Sequence, residues 1–277
     1  MNKNYLSKLF QLQDKTAVLT GGGGVLCSTM SKALAKTGVK VVVLDLLMES
    51  AQYVVDEIQS DGGEAFAVQC DVLKKASIEK AAELILNKFG RVDILINGAG
   101  GNKKEATTSP DLNFFDLPEA AVQWVLNLNF QGTVLPCQVF GQIMVKQGEG
   151  VILNISSMSA FQPLTNIPAY SGAKAAVSNF TQWLAVHMAQ EYSPDIRVNA
   201  LAPGFFLTEQ NRFLLTIAES GELTPRGKTI IDHTPQGHFG NPEDLLGAMF
   251  WLLSPASHFV TGIVVPVDGG FSAFSGV

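Results

Sequence analysis

The sequence predicts an α/β fold: a doubly wound parallel sheet of seven strands with helices on both faces. Three observations carry that expectation. Short runs rich in Val, Ile and Leu recur without the polar alternation of a half-exposed strand. A helical pattern lies between most successive runs, which makes the connections βα units and the strands parallel. Nothing in the 277 residues reads as a linker, a repeat or a low-complexity tract, so residues 1–277 are expected to form a single domain.

The elements come in a regular order. "TAVLT" and "VKVVVLD" are the first two strands; "EAFAVQCD", "VDILIN", "GVILNIS", "IRVNALAP" and "GIVVPVD" complete the seven. Between the first two, Val25 to Lys36 reads as a helix that stops at Gly38. Further helices are expected over Met48–Ser60, Lys75–Phe89, Pro118–Lys146, Ala169–Tyr192 and Pro242–Leu253. Ala120 to Val145 carries no charge, but its Asn and Gln residues and Pro136 mark it as a buried helix of a soluble protein, not a membrane span. Right-handed crossovers bring the C-terminal ends of all strands to one edge, where ligands bind. The one long interruption, residues 204–241, is rich in Gly, Pro and Thr and reads as a lid or substrate loop beside that edge.

Composition bounds the function. With 47% hydrophobic and 16% charged residues there is ample material for one core. The net charge is −6 and there is no Lys/Arg block, so neither nucleic acid nor an anionic membrane is an expected partner. Cys27, Cys70 and Cys137 are far apart and lack metal-ligand spacing, which points to buried thiols in a reducing cytoplasm and to no metal site. The first residues carry no secretion signal.

"TGGGGVLC", Thr20 to Cys27, comes directly after the first strand and opens the first helix, where a phosphate-binding turn belongs. Gly21 to Gly24 leave the backbone bare, yet the GxGxxG fingerprint is not met, so the residues alone also allow a mere tight turn. The second strand ends in Asp45, placed to accept hydrogen bonds from an adenosine ribose; Ser28, Leu46 and Leu47 offer no cation for a 2′-phosphate, which favours NAD over NADP. The bland alternative is an Asp that caps the next helix.

The strongest signal is "NISSMSAFQPLTNIPAYSGAK". Tyr170 and Lys174 stand four apart on a helix, hence on one face, and Ser157 ends a strand thirteen residues before Tyr170. A phenol of ordinary pKa is a poor acid–base catalyst at neutral pH; a neighbouring ammonium lowers that pKa, and a hydroxyl beside it can hold a carbonyl or alcohol oxygen.

At this point the chain resembles the short-chain dehydrogenase/reductase family, from Lys15 onward. "TGGGGVLC", "CDV" at 70–72, "NGAG" at 97–100, Asn129, Ser157, Tyr170, Lys174, "APG" at 202–204, Thr208 and "FVTGIVVPVDGG" at 259–270 occur in the family's order. The resemblance implies a Rossmann fold, hydride transfer with NAD and a cytoplasmic homotetramer. It implies that Tyr170 is the general acid/base, that Lys174 lowers its pKa and binds the nicotinamide ribose, and that Ser157 orients the reacting oxygen. Asn129 would hold a water in a proton relay; the lesser alternative from the residues alone is a helix amide satisfied by backbone. Cofactor contacts are implied at Gly21, Gly24, Val25, Leu26, Asp45, Asp71, Val72, Asn97, Gly98, Ala99, Tyr170, Lys174, Pro203, Gly204 and Thr208. Val25 and Cys27 replace the family's second and third loop glycines, and Cys27 is expected to pack against the first strand.

For the substrate, Lys103, Lys104, Arg212, Arg226, Lys228 and His233 are candidate anion binders, each with the alternative of a solvated surface group. Amides beside cations, Asn102–Lys103 and Asn211–Arg212, suit a polyhydroxy carboxylate, so Asn102, Ser157, Asn211 and Arg212 are the expected substrate contacts. The lid and catalytic stretches resemble the family branch that interconverts D-mannonate and D-fructuronate. A reductase of another keto-sugar acid, acting like a gluconate 5-dehydrogenase, is the alternative.

Overall fold

In the computed structural model, residues 3–208, 212–217 and 220–276 are described. The strands are β1 Thr16–Thr20, β2 Lys40–Asp45, β3 Ala65–Gln69, β4 Ile94–Asn97, β5 Gly150–Ile155, β6 Ile196–Pro203 and β7 Val264–Val267. They form one seven-stranded sheet in the order β3-β2-β1-β4-β5-β6-β7, with every neighbouring pair parallel. The helices are α1 Lys3–Leu9, α2 Val25–Ala35, α3 Met48–Ser60, α4 Lys75–Phe89, α5 Glu119–Leu126, α6 Gly132–Gln147, α7 Pro168–Glu191, α8 Arg212–Leu215, α9 Pro225–Asp232 and α10 Leu246–Leu253. The short helix α1 is not among the elements expected from the sequence.

The unbroken apolar strands are explained by burial on both faces. Ala17, Leu19, Val41, Val43, Ile94 and Ile96 point to one side, into a core with Met30 and Leu34 of α2, Val54 and Ile58 of α3, and Met249 of α10. Their alternates Val18, Val42, Leu44 and Leu95 point to the other side, among Ile78 and Ile85 of α4, Phe140 and Met144 of α6, and Leu184 and Met188 of α7. Strand order reverses between β1 and β4, where Thr20 lies beside Asn97. That switch point opens the crevice in which doubly wound sheets bind ligands.

The helix expected over Pro118–Lys146 is interrupted. A π turn over Asn127–Gln131 joins α5 to α6. Such a turn adds a residue and rotates the rest of the helix, a change that a 3.6-residue apolar pattern does not announce. Asn129 in this turn is fully buried. Within residues 204–241, α8 and α9 are helical, and the segment is tied down by bridges Phe206–Gly240 and Thr216–Leu223. Its Phe205, Leu207, Leu215, Ile230 and Phe239 pack with Met158, Leu164 and Phe271, so it forms an apolar cover over the sheet edge.

Candidate active site

The glycine loop is built by close approach. Gly21 has φ +60°, and a Cβ there would lie 2.8 Å from the Ala99 backbone. Thr20 Oγ1 accepts from the amides of Gly98 (3.2 Å) and Ala99 (3.3 Å), which sews the loop after β1 to the loop after β4. Gly24 is the N-cap of α2 in extended conformation, and no side chain caps that end. The first-turn amides of Val25 and Leu26 therefore remain for an anion. Cys27 does not simply face β1, as expected from the sequence. Its Sγ fills the space over Gly98 that a Cβ would need, beside the Thr20 carbonyl. Burial pushes the Cys27 thiol up to about 12, so it is a packed neutral group.

Asp45 does two things. Its Oδ2 accepts from the Gly23 amide at 3.0 Å and its Oδ1 from the Leu47 amide at 3.0 Å. The carboxylate thus fastens the glycine loop to β2 and also forms the turn that leads into α3, while remaining partly exposed. Gly23, not among the cofactor contacts expected from the sequence, has no room for a Cβ: it would lie 2.6 Å from Ser50 Cβ. Asp71 makes a similar turn, accepting from Leu73 at 3.0 Å and pairing with Lys74 at 3.0 Å. Val72 is buried against the start of α6 at Gly132.

Asn97 is buried at the end of β4. Its side-chain amide donates to Asn154 (2.9 Å) and Cys137 (3.1 Å), and Asn154 donates to Thr181 of α7 (2.9 Å). This buried chain locks β4, β5 and α7 together beneath the site. At β6, Pro203 is buried, and a Cβ on Gly204 would lie 2.6 Å from Asp268 Cα, which explains the glycine. Thr208 accepts the Arg212 amide on its carbonyl at 2.9 Å, the start of α8.

Ser157, Tyr170 and Lys174 meet at the C-terminal edge of β5. Ser157 caps a short turn, its Oγ accepting from Ser159 N at 3.2 Å. Lys174 is buried; its Nζ donates to the Ile155 carbonyl at 2.8 Å and stands 5.6 Å from the centre of the Tyr170 ring. Burial pushes the Tyr170 phenol up, and the neighbouring Ser157 hydroxyl opposes that. Burial holds the Lys174 ammonium down at about 8. In this state the phenol is therefore a proton donor rather than a phenolate.

Asn129 is engaged by backbone on every side. Its amide donates to Gly101 O (2.7 Å) and Val125 O (2.8 Å), and its oxygen accepts from Gly101 N (3.1 Å). It clamps the loop that leaves β4. A Cβ on Gly100 would lie 2.7 Å from Asn129 Oδ1 and 3.2 Å from Lys174 Nζ, so Gly100 belongs to the site although it was not among the expected contacts.

On the substrate side, Asn102 donates to Thr107 Oγ1 at 2.9 Å. Arg212 is exposed at the start of α8, and Asn211 lies outside the described residues. His233 is held edge-on between Phe271 and Phe274. The buried side-chain atoms Ser159 Oγ and Gln162 Oε1 have no hydrogen-bond partner. No described helix is long and apolar enough to cross a membrane.

Comparison with known proteins agrees with this geometry. The short chain dehydrogenase family model matches residues 15–216. An oxidoreductase of Bacillus subtilis strain 168, UxuB, of uncharacterized activity, is 52% identical over 275 residues, 96% of this chain and 98% of that protein. The 5-keto-D-gluconate 5-reductase of Escherichia coli K12 is 30% identical over 265 residues, 96% of this chain and 98% of the enzyme. A solved structure from Haemophilus influenza, provisionally assigned as a D-mannonate oxidoreductase and holding NAD, superposes with a TM-score of 0.91 at 48% identity over 96% of this chain and 98% of that one. The chain belongs to the short-chain dehydrogenase/reductase family and is a nicotinamide-dependent oxidoreductase with the Rossmann-type fold.

Proposed function

We propose that this protein is an NAD(H)-dependent reductase of a keto-sugar acid, interconverting D-fructuronate and D-mannonate. The likeness to the NAD-bound Haemophilus protein, which extends over 96% of the chain, carries the reading. One feature of the site supports the choice of cofactor. Asp45 is succeeded by the exposed apolar side chains of Leu46 and Leu47, so a 2′-phosphate would meet a carboxylate and no adjacent cation.

The residues present fit a dinucleotide. The uncapped first turn of α2, from Gly24 through Val25 and Leu26, would hold its pyrophosphate, Asp45 its adenosine ribose, and Ala99, Lys174, Pro203–Gly204 and Thr208 its nicotinamide half. When bound, the nicotinamide supplies or accepts the hydride at the substrate carbon. In reduction, Tyr170 donates its phenolic proton to the ketone oxygen; in oxidation it takes that proton back. Ser157, whose Oγ accepts from Ser159, directs its own hydrogen to the same oxygen. Lys174 stays cationic below about pH 8 and stabilises the phenolate that forms when Tyr170 has given up its proton.

The test is NADH oxidation with D-fructuronate and with 5-keto-D-gluconate. Turnover of fructuronate is expected to dominate. The Escherichia coli relative favours a second reading, reduction of 5-keto-D-gluconate. Turnover of that acid without fructuronate would put the second reading in place of the first.

A further inference from the structure

We propose that Lys103 is the residue that takes the substrate carboxylate, with Trp124 as the seat that aims its ammonium. The inference rests on the sugar-acid reading above and names the cation that reading requires.

The position of Lys103 is set by the catalytic machinery. Two residues earlier, Gly101 is held at both its N–H and its C=O by the Asn129 amide, at 3.1 and 2.7 Å. From there the chain makes one tight turn. Asn102 donates to Thr107 Oγ1 at 2.9 Å; Thr107 Oγ1 and Ala106 N donate to the Lys103 carbonyl at 2.8 and 3.1 Å. The backbone of Lys103 is thereby tied to the clamp beside Lys174 and Gly100.

Its side chain is directed as well. Lys103 Nζ stands 4.7 Å from the centre of the Trp124 ring, within cation–π range. Trp124 and the Tyr170 ring pack on the same small cluster of Ala106, Ala121, Val125 and Ala169. The ammonium therefore stands on the patch that also positions the acid–base phenol. Among the described residues Lys103 forms no ion pair, so its N–H groups remain to donate to a carboxylate. Lys104, Arg226 and Lys228 are exposed, whereas Lys103 is half-buried. A cation already ordered on an indole face loses less freedom when it captures an anion than one extended into water.

Steady-state kinetics of Lys103→Met, Lys103→Arg and Arg212→Ala test this. The probes are D-fructuronate and its uncharged counterpart D-fructose, with NADH affinity measured in parallel. The native enzyme is expected to favour the acid by about a hundredfold or more in kcat/KM. Lys103→Met should raise KM for the acid by roughly ten- to a hundredfold, the range of one charge-assisted hydrogen bond. Its kcat, its kcat/KM for fructose and its NADH affinity should stay within about threefold. Lys103→Arg should retain most of the preference. An unchanged KM in Lys103→Met, or the same loss on acid and fructose alike, overturns the assignment. A KM effect confined to Arg212→Ala moves the anchor to the lid and also overturns it. If the native enzyme reduces fructose as well as the acid, the sugar-acid reading itself fails, and this inference with it.

Discussion

The Sγ atom of Cys27 occupies the space above Gly98 that a Cβ would fill. The two residues lie on different loops at the switch point, and each permits the other. Where the family's glycine loop carries a third glycine, this chain carries a sulfur, and the glycine after β4 receives it. Gly98→Ala should therefore abolish or strongly weaken NADH binding, because the new methyl overlaps a fully buried side chain. Cys27→Gly alone should be mild. Combined with Gly98→Ala, it should restore much of the lost NADH affinity in a double-mutant cycle by fluorescence titration. Rescue should remain partial because the Thr20 carbonyl also lies 3.0 Å from that Cβ position. Additive losses would show that the contact does not matter.

Tyr170→Phe should keep NADH binding and lose roughly two to four orders of magnitude in turnover, the usual contribution of a positioned acid. Single-turnover absorbance at 340 nm separates the two. Near-normal turnover in the folded variant would remove Tyr170 from the chemistry.

Asp45 joins cofactor choice to loop geometry. Specificity constants should favour NADH over NADPH in the native enzyme. Asp45→Ala should narrow that gap and, because the Gly23 and Leu47 amides lose their acceptor, also weaken NADH binding by about tenfold. A variant with unchanged NADH affinity would show that the loop holds its shape without the carboxylate.

Lys174 is held at a cost to stability. Its folded pKa of about 8 lies below the ordinary value of 10.5, so the folded state binds fewer protons than the unfolded chain between those limits. Stability should consequently rise as pH increases from about 8 to 10.5, and the penalty is fully present below 8. Lys174→Met should lose turnover yet gain roughly 2 kcal/mol in urea unfolding at pH 7, the lost Ile155 hydrogen bond offsetting part of the relieved desolvation. The gain should shrink toward pH 10.5. A less stable variant at pH 7 would contradict this account.

Assembly is the last expectation. The outer face of α7 carries Trp183, 56% exposed and stacked on His187, with Phe180 and Phe130 continuing the aromatic row. A row of that kind suits burial against another copy, and a homotetramer is expected by light scattering. Trp183→Glu should shift the mass toward smaller species. A native monomer at micromolar concentration would refute the expectation.

Much of this enzyme was determined locally and was readable in the chain. Strands buried on both faces must be apolar throughout, so the sheet announced itself as Val-rich runs between helices. The Ser157, Tyr170 and Lys174 spacing is a property of one strand end and one helix face, and the place of Asp45 is set by where β2 stops. What only the tertiary structure decided joins residues remote in sequence. Cys27 meets Gly98, Asp45 meets Gly23, Asn129 clamps Gly101, and Lys103 rests on Trp124. The π turn belongs with these, because the 3.6-residue apolar pattern does not announce it, yet it lies where Asn129 is buried. Periodicity encodes which face of an element is buried, but not which side chain stands opposite once two elements pack. The partners around the catalytic residues were therefore set by packing at the switch point, where β1 and β4 end side by side.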